Sequence, residues 1–419
     1  MDVTQGLQSL LAVFLVAAIT PVIVAALPGP RIPQVVFFLL GGIVIGPHAL
    51  GVADTASVQL VADGGLGFLF LLAGYEFNPV LLRQRPGRLA ITGWVISVAL
   101  SLGAVAGLQA AGFVRDYVPV ALALTTTALG TLLPILHDNN MLGGDFGRYV
   151  FAAGAVGELF PIVAIALFLT QGSHFAALVS VTAVGVLALA LGAVPFIARS
   201  ERLRAIIQEG QNATGQVMLR WSVVLLFLLL VIAAHFGQDV VLGAMLAGMV
   251  LRGWTRRMGI DVHGLEEKFD AVGYGIFIPV FFVSSGMTLD IGGIAHNPAR
   301  VITFFLLLLV IRGLPSMLIY RKVLPLRQRV EMTFITATAL PLLVALAEIG
   351  LRDGKMLPSN AAALVGAGVL SVLVFPAVAT ALARKGGGQG APETAEAAEA
   401  AEETPQAWHP LDSLLPWHR

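Results

Sequence analysis

Glu158 lies near the centre of a stretch from Gly147 to Thr170 that is free of other charges beyond Arg148 at its start. An ionised carboxylate in the middle of a lipid layer costs about 2.5–3.5 kcal/mol on insertion scales. Such a group escapes the cost by keeping its proton or by taking up a cation. Glu158 is therefore a candidate site at which a proton and a cation compete. Arg312, in the run FFLLLLVIRGLP, faces a related problem. A guanidinium does not shed its proton at accessible pH, so it must meet a carboxylate, water or carbonyl oxygens. Glu158 is the expected partner. Arg312 would then hold the place of the cation when the site is empty, or simply brace the bundle.

Two further stretches carry hydroxyls beside helix breakers. One holds Thr125, Thr126 and Thr127, then Gly130 and Pro134; the other holds Thr336, Thr338 and Pro341. A proline in mid-helix removes a backbone hydrogen bond and clashes with the preceding turn. Two such helices suggest a pair of broken helices whose freed carbonyls and threonine hydroxyls, Thr126, Thr127 and Thr338 among them, could hold a cation beside Glu158 and Gly157. The alternative is a pair of kinked packing helices with threonines bonded back to their own turns.

Positioning these residues requires membrane-spanning elements. The 419-residue chain is 57% hydrophobic and 12% charged, against about 25% charged in soluble domains. Apolar runs of spanning length fall near 7–26, 32–49, 56–76, 88–113, 117–136, 147–170, 175–198, 217–236, 239–256, 264–289, 299–320, 329–350 and 358–384. The expected fold class is an all-α polytopic membrane protein of about 13 transmembrane helices. With the N-terminus outside, 19 of the 25 lysines and arginines fall on the inner side. Arg115, Arg300, Arg352 and Lys355 fall outside, while Arg220 and Arg312 sit in spans. That bias follows the positive-inside rule and predicts a cytoplasmic C-terminus. MDVTQGLQSL lacks the positive start of a signal peptide, so the first run is expected to be a retained helix. Counted from the inner end of its run, Glu158 lies ~16 Å deep at 1.5 Å per residue, near the middle of a ~30 Å core.

The chain also repeats itself. GGIVIG (Gly41–Gly46) is matched by GAMLAG (Gly243–Gly248), and FLFLLAGYEFN by PVFFVSSGMTLD. The Thr-Ala-Leu triplets at 127–129 and 338–340 are separated by nearly the same length of chain as Gly74 and Gly286. Paired segments lie seven apart, an odd number, so the copies face opposite ways across the membrane, as in many secondary transporters. The expected organisation is a transmembrane domain over 1–385. Within it, repeat one covers about 7–170, a linker helix 175–198, and repeat two about 217–384. An acidic, low-complexity tail over 386–419 is expected to be disordered and cytoplasmic. Glu76 and Asp290 end matching segments and are expected at gates or funnels. Asp63 and Glu348, near outer ends, could draw cations to a funnel, although loop solvation explains them as well.

Several functions are excluded or unsupported. Zero net charge gives no electrostatic basis for nucleic-acid binding. The absence of Cys excludes disulfides and thiolate sites. No HExxH, GxSxG, phosphate-binding or dinucleotide-binding pattern is present, so neither an enzyme nor a cofactor is expected.

GGIVIGP (Gly41–Pro47), FLFLLAGYEFNP (Phe68–Pro79), FFVSSGMTLD (Phe281–Asp290) and the two threonine-rich stretches resemble the monovalent cation:proton antiporter-2 family, within the cation/proton antiporter group. The likeness covers roughly 7–384. It implies the NhaA-like fold, with crossed, interrupted helices, a dimerisation panel and elevator-like movement of one carboxylate site. It also implies exchange of Na⁺ or K⁺ for protons in a bacterial inner membrane, by a homodimer. The family usually places a polar or acidic residue before its key carboxylate, whereas here the pair is Gly157-Glu158. One carboxylate would exchange one proton for one monovalent cation, so electroneutral exchange is expected. Arg312 matches a position where relatives carry a basic residue. Two alternatives stay open: an ion-coupled organic-solute symporter of related design, and a membrane sensor without transport.

Overall fold

The computed structural model describes residues 3–26, 33–77, 79–115, 117–139, 141–168, 174–193, 216–258, 262–289, 292 and 298–384. Asn78, Asp290 and the tail beyond 384 lie outside these residues, so the expectations placed on Asp290 and on 386–419 are not addressed by it.

Every regular element among the described residues is helical. In chain order they are α1 (Val3–Ala26), α2 (Gln34–Ile45), α3 (Thr55–Glu76), α4 (Pro79–Arg83), α5 (Arg85–Ala110), α6 (Tyr117–Ala123), α7 (Leu129–Asp138), α8 (Gly144–Phe168) and α9 (His174–Gly192). The second half holds α10 (Val217–His235), α11 (Val240–Met258), α12 (Val262–Val272) and α13 (Ile278–Met287), the last two joined by a π-helical turn, Gly273–Phe277. Then come α14 (Pro298–Leu308), a π-helical turn Leu309–Gly313, α15 (Pro315–Ile319), α16 (Leu326–Ala337), α17 (Pro341–Arg352) and α18 (Pro358–Arg384). Ten helices or continuous helical stretches among the described residues are long and apolar enough to cross a membrane. The remaining three expected spans fall short by that measure. α2 has 12 residues, α6 and α7 are separate halves, and α11 carries Arg252, Arg256 and Arg257.

The helices form two bundles. α1–α3 and α10–α13 pack on one another, and α5–α8 pack with α14–α18. The first bundle is held by two close crossings of the same construction. A Cβ on Gly42 of α2 would strike the Val283 carbonyl of α13, and one on Gly286 of α13 would strike the Leu39 carbonyl of α2. Likewise, Gly74 of α3 faces the Met245 carbonyl of α11, and Gly248 of α11 faces the Leu71 carbonyl of α3. In lipid there is little hydrophobic drive between helices, so small residues that let backbones touch supply the packing. The repeated glycine motifs are thus the residues that join α2 to α13 and α3 to α11.

The second bundle holds both interruptions. Between α6 and α7 the chain unwinds over 124–128. Thr125 and Thr126 donate their hydroxyls to the carbonyls of Leu122 and Ala123, at 2.7 and 2.8 Å. These local bonds compete with the helix ladder. Between α16 and α17 the chain unwinds over 338–340, and Pro341 opens α17 at its first position. Proline is pre-organised there, since its missing N–H would have had no partner. The prolines therefore differ from the expectation. Pro341 starts a half-helix rather than kinking a whole one. Pro134 falls within α7, beyond the break.

Gly286→Ala is expected to lower the thermal unfolding midpoint, with an overpacking cost of about 1–3 kcal/mol. Gly103→Ala, at an exposed position of α5 with open space around it, is expected to be neutral or mildly stabilising. A thermal melt of both variants in the same detergent checks the contrast.

Candidate functional site

The two unwound stretches meet through their backbones. The Ala128 N–H donates to the Thr338 carbonyl at 2.8 Å, and the Thr127 hydroxyl donates to the Thr336 carbonyl at 2.7 Å. A third contact ties in α8, where the Thr127 N–H donates to the Gly157 carbonyl at 3.1 Å. Backbone groups freed by the two breaks thus satisfy each other where water is scarce.

Glu158 stands beside this crossing. Its Oε1 accepts from the Leu129 N–H at 3.2 Å. Leu129 opens α7, so the carboxylate sits at the positive end of a half-helix. The other side of Glu158 faces a cavity of about 1310 Å³ between the two bundles. Glu76, Gly130, Thr131, Asn139, Tyr274 and Arg384 also line it. The Thr131 hydroxyl is buried and has no hydrogen-bond partner among the described residues. The cavity reaches the ends of α1, α3, α7 and α18 that the charge bias assigns to the inner face, through Val24, Glu76, Asn139 and Arg384. Asn139 accepts a 3.0 Å hydrogen bond from Arg384 at that end.

Arg312 does not pair with Glu158. It is 3% exposed and occupies the π-helical turn. Its Nε donates to the Thr127 hydroxyl at 2.8 Å, and one Nη donates to the Ala153 carbonyl at 2.9 Å. The reason lies at Gly157. A Cβ there would come within 2.6 Å of the Thr127 Cβ and 2.7 Å of the Arg312 Nη2. The missing side chain lets the guanidinium press onto the α8 backbone. It reaches a carbonyl instead of the next residue's carboxylate.

Among the expected ligands, Thr127 is committed to Arg312 and to the Thr336 carbonyl. Thr126 and Thr338 turn back to the carbonyls of Ala123 and Phe334. None of these three lines the cavity with Glu158, whereas Gly130 and Glu76 do. Thr131 and Tyr274 escaped the sequence reading. Thr131 stands two residues after Leu129 in α7, a register visible only once the helix is known to restart there.

The sodium/hydrogen exchanger transmembrane family matches residues 10–385 of the chain. A protein of Bacillus subtilis provisionally named a Na(+)/H(+) antiporter, YjbQ, is 25% identical over 88% of this chain and 62% of its own length. The glutathione-regulated potassium-efflux system protein KefC of Cronobacter sakazakii is 28% identical over 78% of this chain and 52% of its own length. The chain thus spans between half and two thirds of the length of these relatives. In three dimensions it is similar to the sodium proton antiporter MjNhaP1 of Methanocaldococcus jannaschii. The TM-score is 0.66 at 17% identity, covering 92% of this chain and 99% of that one. That likeness establishes the fold.

Arg312→Ala is expected to lower thermal stability by about 1.5–3 kcal/mol for each charge-assisted hydrogen bond lost, with or without added cation. Arg312→Lys is expected to recover little of it, because one ammonium lacks the planar fork that reaches both acceptors. Melts of both variants, each with and without Na⁺ and K⁺, measure this.

Proposed function

We propose, from the premise that this chain belongs to the sodium/hydrogen exchanger family, that it exchanges Na⁺ or K⁺ for protons across a bacterial inner membrane, with Glu158 as the shared site. One observation carries the reading. The Glu158 carboxylate, bonded to the first amide of a half-helix, opens onto an inter-bundle cavity beside two crossed breaks. The names of the relatives, a Na⁺ antiporter and a potassium-efflux protein, support the choice of ions.

The mechanism follows from competition. Protonated Glu158 carries no charge and holds no cation. Ionised, it attracts one, with the Thr131 hydroxyl oxygen as a second ligand within the same cavity. A cation that binds only the ionised form displaces the proton, and acid expels the cation. Arg312 keeps its charge in both states and stays on Thr127 and Ala153, so it neither enters nor leaves the exchange. One carboxylate trading one proton for one monovalent cation makes each cycle electroneutral. Alternating access would come from movement of the bundle holding α5–α8 and α14–α18 against the other. The N-terminus would lie outside and the C-terminus in the cytoplasm. The bundle of α1–α3 and α10–α13 would supply the homodimer contact.

In proteoliposomes loaded with a pH dye, Glu158→Gln is expected to abolish cation-driven proton flux with Li⁺, Na⁺, K⁺ and Rb⁺ alike. Flux that persists removes Glu158 from the mechanism. Thr131→Val is expected to raise the apparent KM for the cation about five- to tenfold, the loss of one polar contact of about 1 kcal/mol, with turnover largely kept. Thr131→Ser should restore the parent value. Stabilisation by added cation is expected to grow as pH rises and vanish in acid, because only the ionised carboxylate binds.

A further inference from the structure

The face opposite the cavity mouth is closed by a polar network that joins the two bundles. Arg352, at the end of α17, forms ion pairs with Asp63 of α3 and, at 2.7 Å, with Glu348 of its own helix. Gln59 of α3 donates to Asp63 at 3.0 Å and to Glu348 at 3.3 Å. Ser285 of α13 donates its hydroxyl to the second Glu348 oxygen at 3.1 Å. α3 and α13 belong to one bundle and α17 to the other. All five of these residues carry a bond that crosses the boundary, and Gln59 also bonds Asp63 on its own side. Lys355 and Asp353 pair with each other beside the cluster, at 3.5 Å.

Asp63 and Glu76 mark the two ends of the inter-bundle seam along α3. Glu76 lines the open cavity, and thirteen residues away, ~20 Å at 1.5 Å per residue, Asp63 is locked to α17. Glu348 is largely shielded, with 15% of its side chain exposed. Asp63 keeps 35% of its side chain exposed, but both carboxylates pair with Arg352 instead of lining an open funnel. They share one guanidinium.

We propose that Asp63, Gln59, Ser285, Glu348 and Arg352 form an outer latch, whose bonds hold the inward-open arrangement and must break for the site to face outward. It rests on the alternating-access reading of the proposed function, but it concerns which state is populated and not the ion carried. The carboxylates and guanidinium stay partly hydrated, so the latch is weak enough to open.

The chain has no cysteine, so a single introduced thiol reports accessibility cleanly. Two reporters are suitable. Ala377→Cys lies exposed on the inner cavity wall. Ser285→Cys lies at a position 5% exposed beneath Glu348 and replaces one latch hydroxyl by a weaker thiol donor, so every rate at 285 is compared with that of the Ser285→Cys protein itself. Purified protein in nanodiscs is labelled with a bulky hydrophilic maleimide. Adding Arg352→Gln or Asp63→Asn is expected to slow labelling at 377 and speed it at 285, each about two- to fivefold. The charge reversal Asp63→Arg with Arg352→Asp is expected to return both rates toward those of the parent. Unchanged rates in folded variants overturn the proposal, and so does a rise at both reporters, which signals general loosening. If the charged variants do not fold, Gln59→Leu removes two bonds without altering charge and is expected to move both rates the same way. Labelling needs no ion flux, so these outcomes stand apart from the result for Glu158→Gln.

Discussion

A backbone that leaves its helix inside a lipid layer must find hydrogen-bond partners without water. Each unsatisfied group there costs several kcal/mol. This constraint organises the second bundle. Unwinding at 124–128 frees amides and carbonyls, and unwinding at 338–340 frees more. Neither break is tolerable alone. Laid across each other, they exchange the Ala128–Thr338 bond and are tied to α8 and α16 through Thr127. Ser371 of α18 closes the account on the far side, accepting from the Ala339 amide at 3.0 Å and donating to the Ala339 carbonyl at 2.9 Å. The crossing is a structural necessity first. The chemical use proposed for it rests on its bringing the start of α7 against a carboxylate.

The same constraint explains why the two buried charges stay apart. A guanidinium and a carboxylate on neighbouring helices would pair strongly in a poorly screened interior, and a tight pair would leave Glu158 little appetite for another cation. Arg312 instead uses the Thr127 hydroxyl and the Ala153 carbonyl, acceptors supplied by the break and by α8. Gly157 makes this possible by leaving room at the α8 surface. The positive group braces the crossing, while the negative group faces the cavity with its charge uncommitted to Arg312.

Much of this was legible in the sequence where a residue offended its surroundings. A glutamate amid apolar residues, consecutive threonines in a span and repeated glycine motifs are local anomalies, and each marked a real feature. The helical membrane fold and the antiporter family were legible for that reason. What escaped depends on distant geometry. The partner of Arg312 could not be inferred, because carbonyls carry no sequence signal and become acceptors only once a fold aims them. The break before α7 lies at the threonines and not at Pro134, since hydroxyl competition with the ladder was enough to unwind the chain. Asp63 and Arg352 lie 289 residues apart in the sequence, and nothing near either one announces the other.

The two ends of the inter-bundle seam are built from different materials, and that difference bears on how such a molecule cycles. At one end the bundles part around a cavity with largely apolar walls, including Phe38, Phe70 and Phe282, in which Glu158 and Glu76 are the acidic groups among the described residues. At the other a network of ion pairs and hydrogen bonds crosses between them. A closure made of packed apolar side chains would resist opening in proportion to the surface exposed, about 25 cal/mol per Å². A closure made of hydrated ion pairs trades one set of polar contacts for another, so its two states can lie close in energy. A carrier needs that near-balance, because a ligand shifts an equilibrium only by its difference in affinity for the two states. One small cation cannot supply much. In the proposed exchange, the expected inverted repeat would give two arrangements of similar packing, and the polar seam would keep the step between them within reach of a single bound ion.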